Sequence, residues 1–239
     1  MSHRLILVVI ALIAVIVLNS CAPAATPAPV VQTVVVPQTV VVPATPAPSA
    51  ASSVAVPAIP APVAVTRDAK TTAFLVLDIT SVICTPRKSC VASLPAIASL
   101  LKKARDANVM VVYSDTPTAG STILSEVAPQ PGDPKVTGRA DKFFGTNLDD
   151  LLKAKGIKTV VVVGCASNGA VLYTTFGANL RGYTAVVAED GMSTDDAFAQ
   201  FLTRYQLLNE PGFANATNAP PQAGKVAVTL SRTDLVSFQ

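Results

Sequence analysis

The sequence predicts an α/β domain of three layers: a parallel β-sheet with helices on both faces. Three observations predict it. From Thr72 onward, short apolar runs suited to buried strands alternate with segments of helical period. The runs are rich in Val, Ile and Leu, as strands covered on both sides tend to be. Helical segments separate most successive runs, which implies crossover connections and therefore parallel strands.

Each element follows from its residues. FLVLDI (74–79) is a short apolar strand, and SLPAIASLLKKARDANV (93–109) has apolar positions at 94, 97, 100, 101 and 104, the spacing of one helix face. VMVVYS (109–114) is the second strand, followed by a Pro-, Gly- and Thr-rich loop over 115–134. NLDDLLKAKG (147–156) reads as a helix with Thr146 as N-cap, a basic last turn and Gly156 ending it. TVVVVG (159–164) is a central strand, ASNGAVLYTTFGANLRG holds a helix, and YTAVVAED (183–190) is another strand. TDDAFAQFLTRYQLL (194–208) is helical with Asp195 and Asp196 in its first turn; KVAVTL (225–230) is the closing strand, and SRTDLVSF reads as a final helix packed back on the domain. Ligands of open parallel sheets bind outside the strand carboxyl ends. That rule singles out the segments after Asp78, Ser114, Gly164 and Asp190.

Composition divides the chain near Thr66. Residues 1–66 hold one charged side chain, Arg4, and most of the prolines. MSHR followed by LILVVIALIAVIVL gives a basic start and an apolar core too short for the ~20 residues of a membrane span but suited to a signal peptide. LNSC resembles the bacterial lipoprotein signal, which implies lipidation of Cys21. The expected organisation is a signal at 1–20, a lipidated Pro/Ala/Val-rich stalk at 21–66 with a tandem QTVVVP, and a folded domain at 67–239. The domain is then extracytoplasmic and anchored to the bacterial cell membrane. A net charge of +3 and the lack of tryptophan argue against nucleic acid as a partner.

Three stretches of the domain resemble the isochorismatase-like cysteine hydrolases, a family that includes nicotinamidases. They are LVLDIT, then KFFGTNLDDLLKAKGIKTVVVVG, then CASNGAVLYTTFGANLRGYTAVVAEDGMST, and their order and spacing carry the resemblance across about 72–208. It implies a six-stranded, mostly parallel sheet in an α/β/α sandwich. It also implies chemistry by an aspartate, a lysine and a cysteine, in which the thiolate attacks a carbonyl or imine carbon and helix-end amides receive the oxyanion.

Transferred by position, the aspartate is Asp78. The nucleophile, six residues after Gly164, falls on Ala170, where a methyl group replaces the sulfur. The lysine, six residues before Phe143, falls on Thr137; a small shift brings in Lys135, while Arg139 and Lys142 stand outside the expected register. Asp115, Arg139, Lys142, Phe143, Ser167, Asn168, Gly169 and Asp190 are the candidate ligand-binding residues. Cys165, directly after Gly164, reads more naturally as a small core residue than as a displaced nucleophile. Cys84 and Cys90, in ICTPRKSC, suit a disulfide outside the cytoplasm. No cofactor is implied, and no metal site of the nicotinamidase type is expected, since the single histidine is His3.

Three functions stay open on the sequence: a degenerate hydrolase that binds a small anionic ligand, a working hydrolase of an amide, ester or vinyl ether using Asp78, and an envelope scaffold. Pairing with a second copy is a further expectation, since domains of this kind often associate.

Overall fold

In the computed structural model, residues 55–239 are described; the signal segment, Cys21 and most of the stalk lie outside them. Ala55–Gln239 forms one compact unit. Its centre is a sheet of six parallel strands: β2 (Thr72–Leu77), β3 (Met110–Asp115), β4 (Lys135–Thr137), β5 (Thr159–Cys165), β6 (Thr184–Ser193) and β7 (Val228–Ser231), in the order β4-β3-β2-β5-β6-β7. All residues of β2 and β5 are buried, as expected of strands at the middle of a covered sheet.

Alternation along the strands sends side chains into two cores. Phe74, Val76, Val111, Val161 and Val163 face α1 (Lys88–Asp106), which contributes Leu94, Ile97, Leu100, Leu101 and Ala104. Leu75, Leu77, Val112, Val160 and Val162 face the other way. They meet Leu148 and Leu152 of α2 (Leu148–Ala154), Leu172 and Ala178 of α3 (Leu172–Leu180), and Leu207 and Leu208 of α4 (Ala197–Leu208). The three layers are those the alternation of runs predicts.

Local chemistry sets the element ends. Asp196 caps α4 by accepting from the amides of Phe198 and Ala199. The N-cap of α2 is Asn147 and not the expected Thr146, although Thr146 Oγ1, one residue before it, accepts from the Leu148 amide at 3.2 Å. Gly156 follows α2 with φ +67°.

Two expectations are corrected. SRTDLVSF is a turn leading into strand β8 (Val236–Phe238), not a helix. Its partner is β1 (Val65–Arg67), in parallel register from Val65↔Val236 to Arg67↔Phe238. Val65 and Val236 are buried against the α1 core, so a second small ladder covers apolar surface that a helix was expected to cover. The domain therefore recruits residues that composition assigns to the stalk. The Val63 amide donates to Leu230 O at 3.1 Å, and Asn218 Nδ2 donates to Ala61 O at 2.8 Å.

Candidate functional site

The carboxyl ends of β2, β3 and β5 meet at Asp78. Leu77 pairs in register with Gly164, and a Cβ at Gly164, whose φ is +148°, would stand 2.3 Å from Leu77 O. Only glycine lets the two strands close here. One residue later Asp78 leaves the extended line with φ +55°, a left-handed conformation that aspartate tolerates better than most residues. Its amide donates to Ser114 O, and Ser114 Oγ donates to Asp78 Oδ1 at 2.7 Å.

The other carboxyl oxygen, Oδ2, lies 2.8 Å from Lys142 Nζ. Lys142 is fully buried, and its ammonium also donates to Gly138 O at 2.7 Å and Asp115 O at 3.3 Å, so each of its three protons has an acceptor. Burial raises the Asp78 pKa above the usual carboxylate range, and Lys142 and the Ser114 hydroxyl oppose that rise.

The lysine register inferred from the sequence is corrected by this geometry. Thr137 and Lys135 do not reach Asp78. Thr137 Oγ1 donates to Asp115 Oδ1 at 2.5 Å and Lys135 Nζ meets Asp115 Oδ2 at 3.0 Å. The cation facing Asp78 comes five residues further on, from a segment between β4 and α2 that has no regular structure. Docking on α3 sets its path. The Lys142 amide donates to Thr174 Oγ1 at 3.1 Å, and a Cβ on Gly177 would come within 2.8 Å of Asp141 Oδ1. No periodic pattern marks such a segment; the signal available was a lone lysine beside two phenylalanines.

Ala170 is the position onto which the resemblance transfers the nucleophile. It lies in the wide turn Ser167–Val171 between β5 and α3, four residues before Thr174. Ala170 is buried among the side chains under α2, α3 and α4, whereas Cys165 is buried in the opposite core, with α1 and the Cys84–Cys90 disulfide. The two side chains thus lie in different cores, on opposite faces of the sheet. Burial also raises the Cys165 pKa, against the opposing influence of the nearby Ser193 side chain and the charge of Arg87.

A cleft of about 430 Å³ opens over Asp78, walled by Thr116, Pro117, Thr118, Arg139 and Ala140. Charges deeper down are paired, Asp78 with Lys142 and Asp115 with Lys135. Arg139 is exposed and makes no ion pair among the described residues. The wall thus carries an excess positive charge.

Several other candidates point elsewhere. Phe143 is a core residue, its ring 5.9 Å from that of Tyr183 and under the Arg181 guanidinium. Ser167 is buried and hydrogen-bonded to Gln200 of α4. Asp190 accepts from the amide and hydroxyl of Thr233, both at 2.8 Å, which makes it an anchor for the turn before β8. Asn168 is exposed and Gly169 half-buried on the turn. Neither is among the residues walling the cleft.

A family model described as the isochorismatase domain matches residues 72–207. A secreted isochorismatase effector of Verticillium dahliae is 33% identical over 117 residues, which is 44% of this chain and 62% of that protein. A ureidoacrylate amidohydrolase of Agrobacterium fabrum is 42% identical over 94 residues, 38% of this chain and 40% of that protein. The chain therefore spans less than two thirds of these relatives. Among solved structures, an isochorismatase family protein from Burkholderia thailandensis has a TM-score of 0.59 at 22% identity, covering 72% of this chain and 96% of that one. N-carbamoylsarcosine amidase from Thermoplasma acidophilum has a TM-score of 0.55 at 21% identity, covering 69% and 97%. At those identities the likeness is one of fold.

Proposed function

The chain belongs to the isochorismatase family, and from that premise we propose that it is a member without thiol chemistry, which binds a small carboxylate in the Asp78 cleft and does not cleave it. The domain is held outside the cytoplasm by the lipidated Cys21. The observation that carries the reading is the pairing of an alanine at position 170 with a complete Asp78–Lys142 ion pair. A pocket that kept its charges and lost its sulfur retains the means to orient a ligand, but not to form an acyl-enzyme.

Electrostatics choose the ligand class. With Asp78 and Asp115 each matched by a lysine, Arg139 is the cation left to meet a ligand carboxylate, and its planar fork suits bidentate contact. Thr116 and Thr118, whose hydroxyls lie 3.0 Å apart, add polar contacts on the same wall. Ureidoacrylate, named for the matched amidohydrolases, is a carboxylate of the right size to serve as probe.

One observation favours a second reading, that of a working hydrolase. The Asp78 carboxyl is buried with a raised pKa, which makes it a stronger base than an ordinary carboxylate and suits it to activating water. Calorimetric titration with ureidoacrylate, alongside chromatography of the same mixture, separates the two. Binding without product, lost in Arg139→Ala, supports the first. Product that disappears in Asp78→Asn would establish the second.

A further inference from the structure

We infer that a groove at the amino ends of the strands, at the other edge of the sheet from Asp78, binds an amphipathic anion: an alkyl chain ending in a carboxylate. The groove has a volume of about 520 Å³, more than the cleft over Asp78, and within the roughly 300–1,000 Å³ of small-molecule sites. Its walls come from the starts of four strands. Lys70 precedes β2, Met110 opens β3, Pro134 precedes β4 and Ile157 precedes β5. The Asp78 cleft lies at the carboxyl ends, so the groove is a separate site whatever that cleft binds.

The chain covers this edge thinly. The connection from β3 to β4 contains a single 3₁₀ turn (Ser125–Val127), and Val127 packs into the core under α1. On the opposite face α2 supplies only seven residues, and Met110 and Leu151 stay partly exposed against its core. With the buried Val109 and Ile157 they give the groove an apolar floor.

Charge selects the head group. Lys70 and Lys155 line the groove, are exposed, and form no ion pair among the described residues. Asp133, the acid on the same wall, is already engaged: its Oδ2 lies 3.1 Å from Arg105 Nη2 and accepts from the Gln130 amide at 2.7 Å. The groove thus joins an apolar floor to a rim of excess positive charge. A carboxylate can stay at the rim beside the two ammonium groups while its chain leaves water for the floor. A cationic amphiphile of the same length would meet like charge there.

Equilibrium dialysis of radiolabelled octanoate against the full chain in phosphatidylcholine nanodiscs, with empty nanodiscs as the blank, tests this. The expected result is saturable binding that tightens about fourfold with each added methylene from hexanoate to decanoate. Lys70→Glu/Lys155→Glu should weaken it at least about tenfold, with far-UV circular dichroism and thermal midpoint retained. Ala154→Trp, which fills the groove from an exposed position, should weaken it as well. Octanoate binding should persist in Arg139→Ala, and octylammonium should not compete for it. Absence of saturable binding through the millimolar range would overturn the proposal. So would binding indifferent to the groove variants, or binding that disappears in Arg139→Ala, which would place the octanoate in the Asp78 cleft.

Discussion

Asp78 and Lys142 form an ion pair of 2.8 Å with almost no solvent around it; the lysine side chain is 0% exposed and the aspartate 5%. Sixty-four positions apart in sequence, they meet because the strand end fixes one and an irregular loop, docked on α3, delivers the other. The pair gives the cleft floor a fixed dipole in place of a net charge, and Arg139 is the exposed charge on the cleft wall.

Removing half of this pair is expected to cost far more than removing both halves. A lone buried charge is left unmatched, whereas an apolar replacement of both partners is often close to neutral. Lys142→Met should therefore destabilise the domain by about 3–5 kcal/mol in urea unfolding, and Asp78→Leu/Lys142→Met should recover most of that loss. Additive losses in the two-site variant would show that the two side chains act independently.

Sulfur at position 170 is expected to behave like the sulfur already present, since both positions are buried. Cys165 is 0% exposed with a raised pKa, so iodoacetamide should leave it unmodified in the folded protein. Ala170 is 4% exposed, so the thiol of Ala170→Cys should also be alkylated slowly in the folded protein, and both thiols should react once urea unfolds the domain. Mass-spectrometric mapping of adducts over time reads both rates.

Stability should fall as pH rises from mildly acid to neutral, through Glu210. This residue is 6% exposed, its Oε2 has no hydrogen-bond partner, and burial pushes its pKa up to about 7. Below the unfolded value near 4.5 both states hold the proton and nothing is lost. Above it the unfolded chain releases the proton first, so the folded state loses up to about 3 kcal/mol by pH 7 and regains none beyond. Glu210→Gln should match the wild type in thermal midpoint at pH 4 and exceed it at pH 8.

The Cys84–Cys90 disulfide closes a short loop that ends in the first turn of α1, with both residues 0% exposed. Loop entropy predicts that Cys84→Ser/Cys90→Ser costs about 2 kcal/mol. Because both sulfurs are buried, mild reductant should leave the native midpoint unchanged at short incubation and lower it only after unfolding has been allowed. Immediate reduction of the folded protein would contradict that burial.

Periodicity made the sheet legible and made part of the site illegible. Runs such as TVVVVG announce buried strands because a covered strand tolerates no polar interruption, and Asp78 is visible as the acid where such a run stops. Lys142 could not be placed by counting from Phe143, since the chain between β4 and α2 turns without a repeat and its path is set by Thr174 and Gly177, remote in sequence. Phe143, Ser167 and Asp190 stood at plausible positions near strand ends, yet their side chains point to Tyr183, Gln200 and Thr233. β1 and β8 are three residues each, too short for alternation to be read, and the apolar residues of SRTDLVSF suited a helix equally well.

The β1–β8 ladder has a consequence for synthesis. Thr66 and Ser237, whose hydroxyls lie 2.8 Å apart, are separated by 171 residues. At roughly 5–20 residues per second on the ribosome, β1 waits on the order of ten to thirty seconds after it is made before its partner exists. The six-stranded sheet can close during that interval, while Val65 stays uncovered. The stretch through which the domain joins the rest of the chain is thus the last part of the nascent protein to lock, and the one longest available to chaperones and proteases.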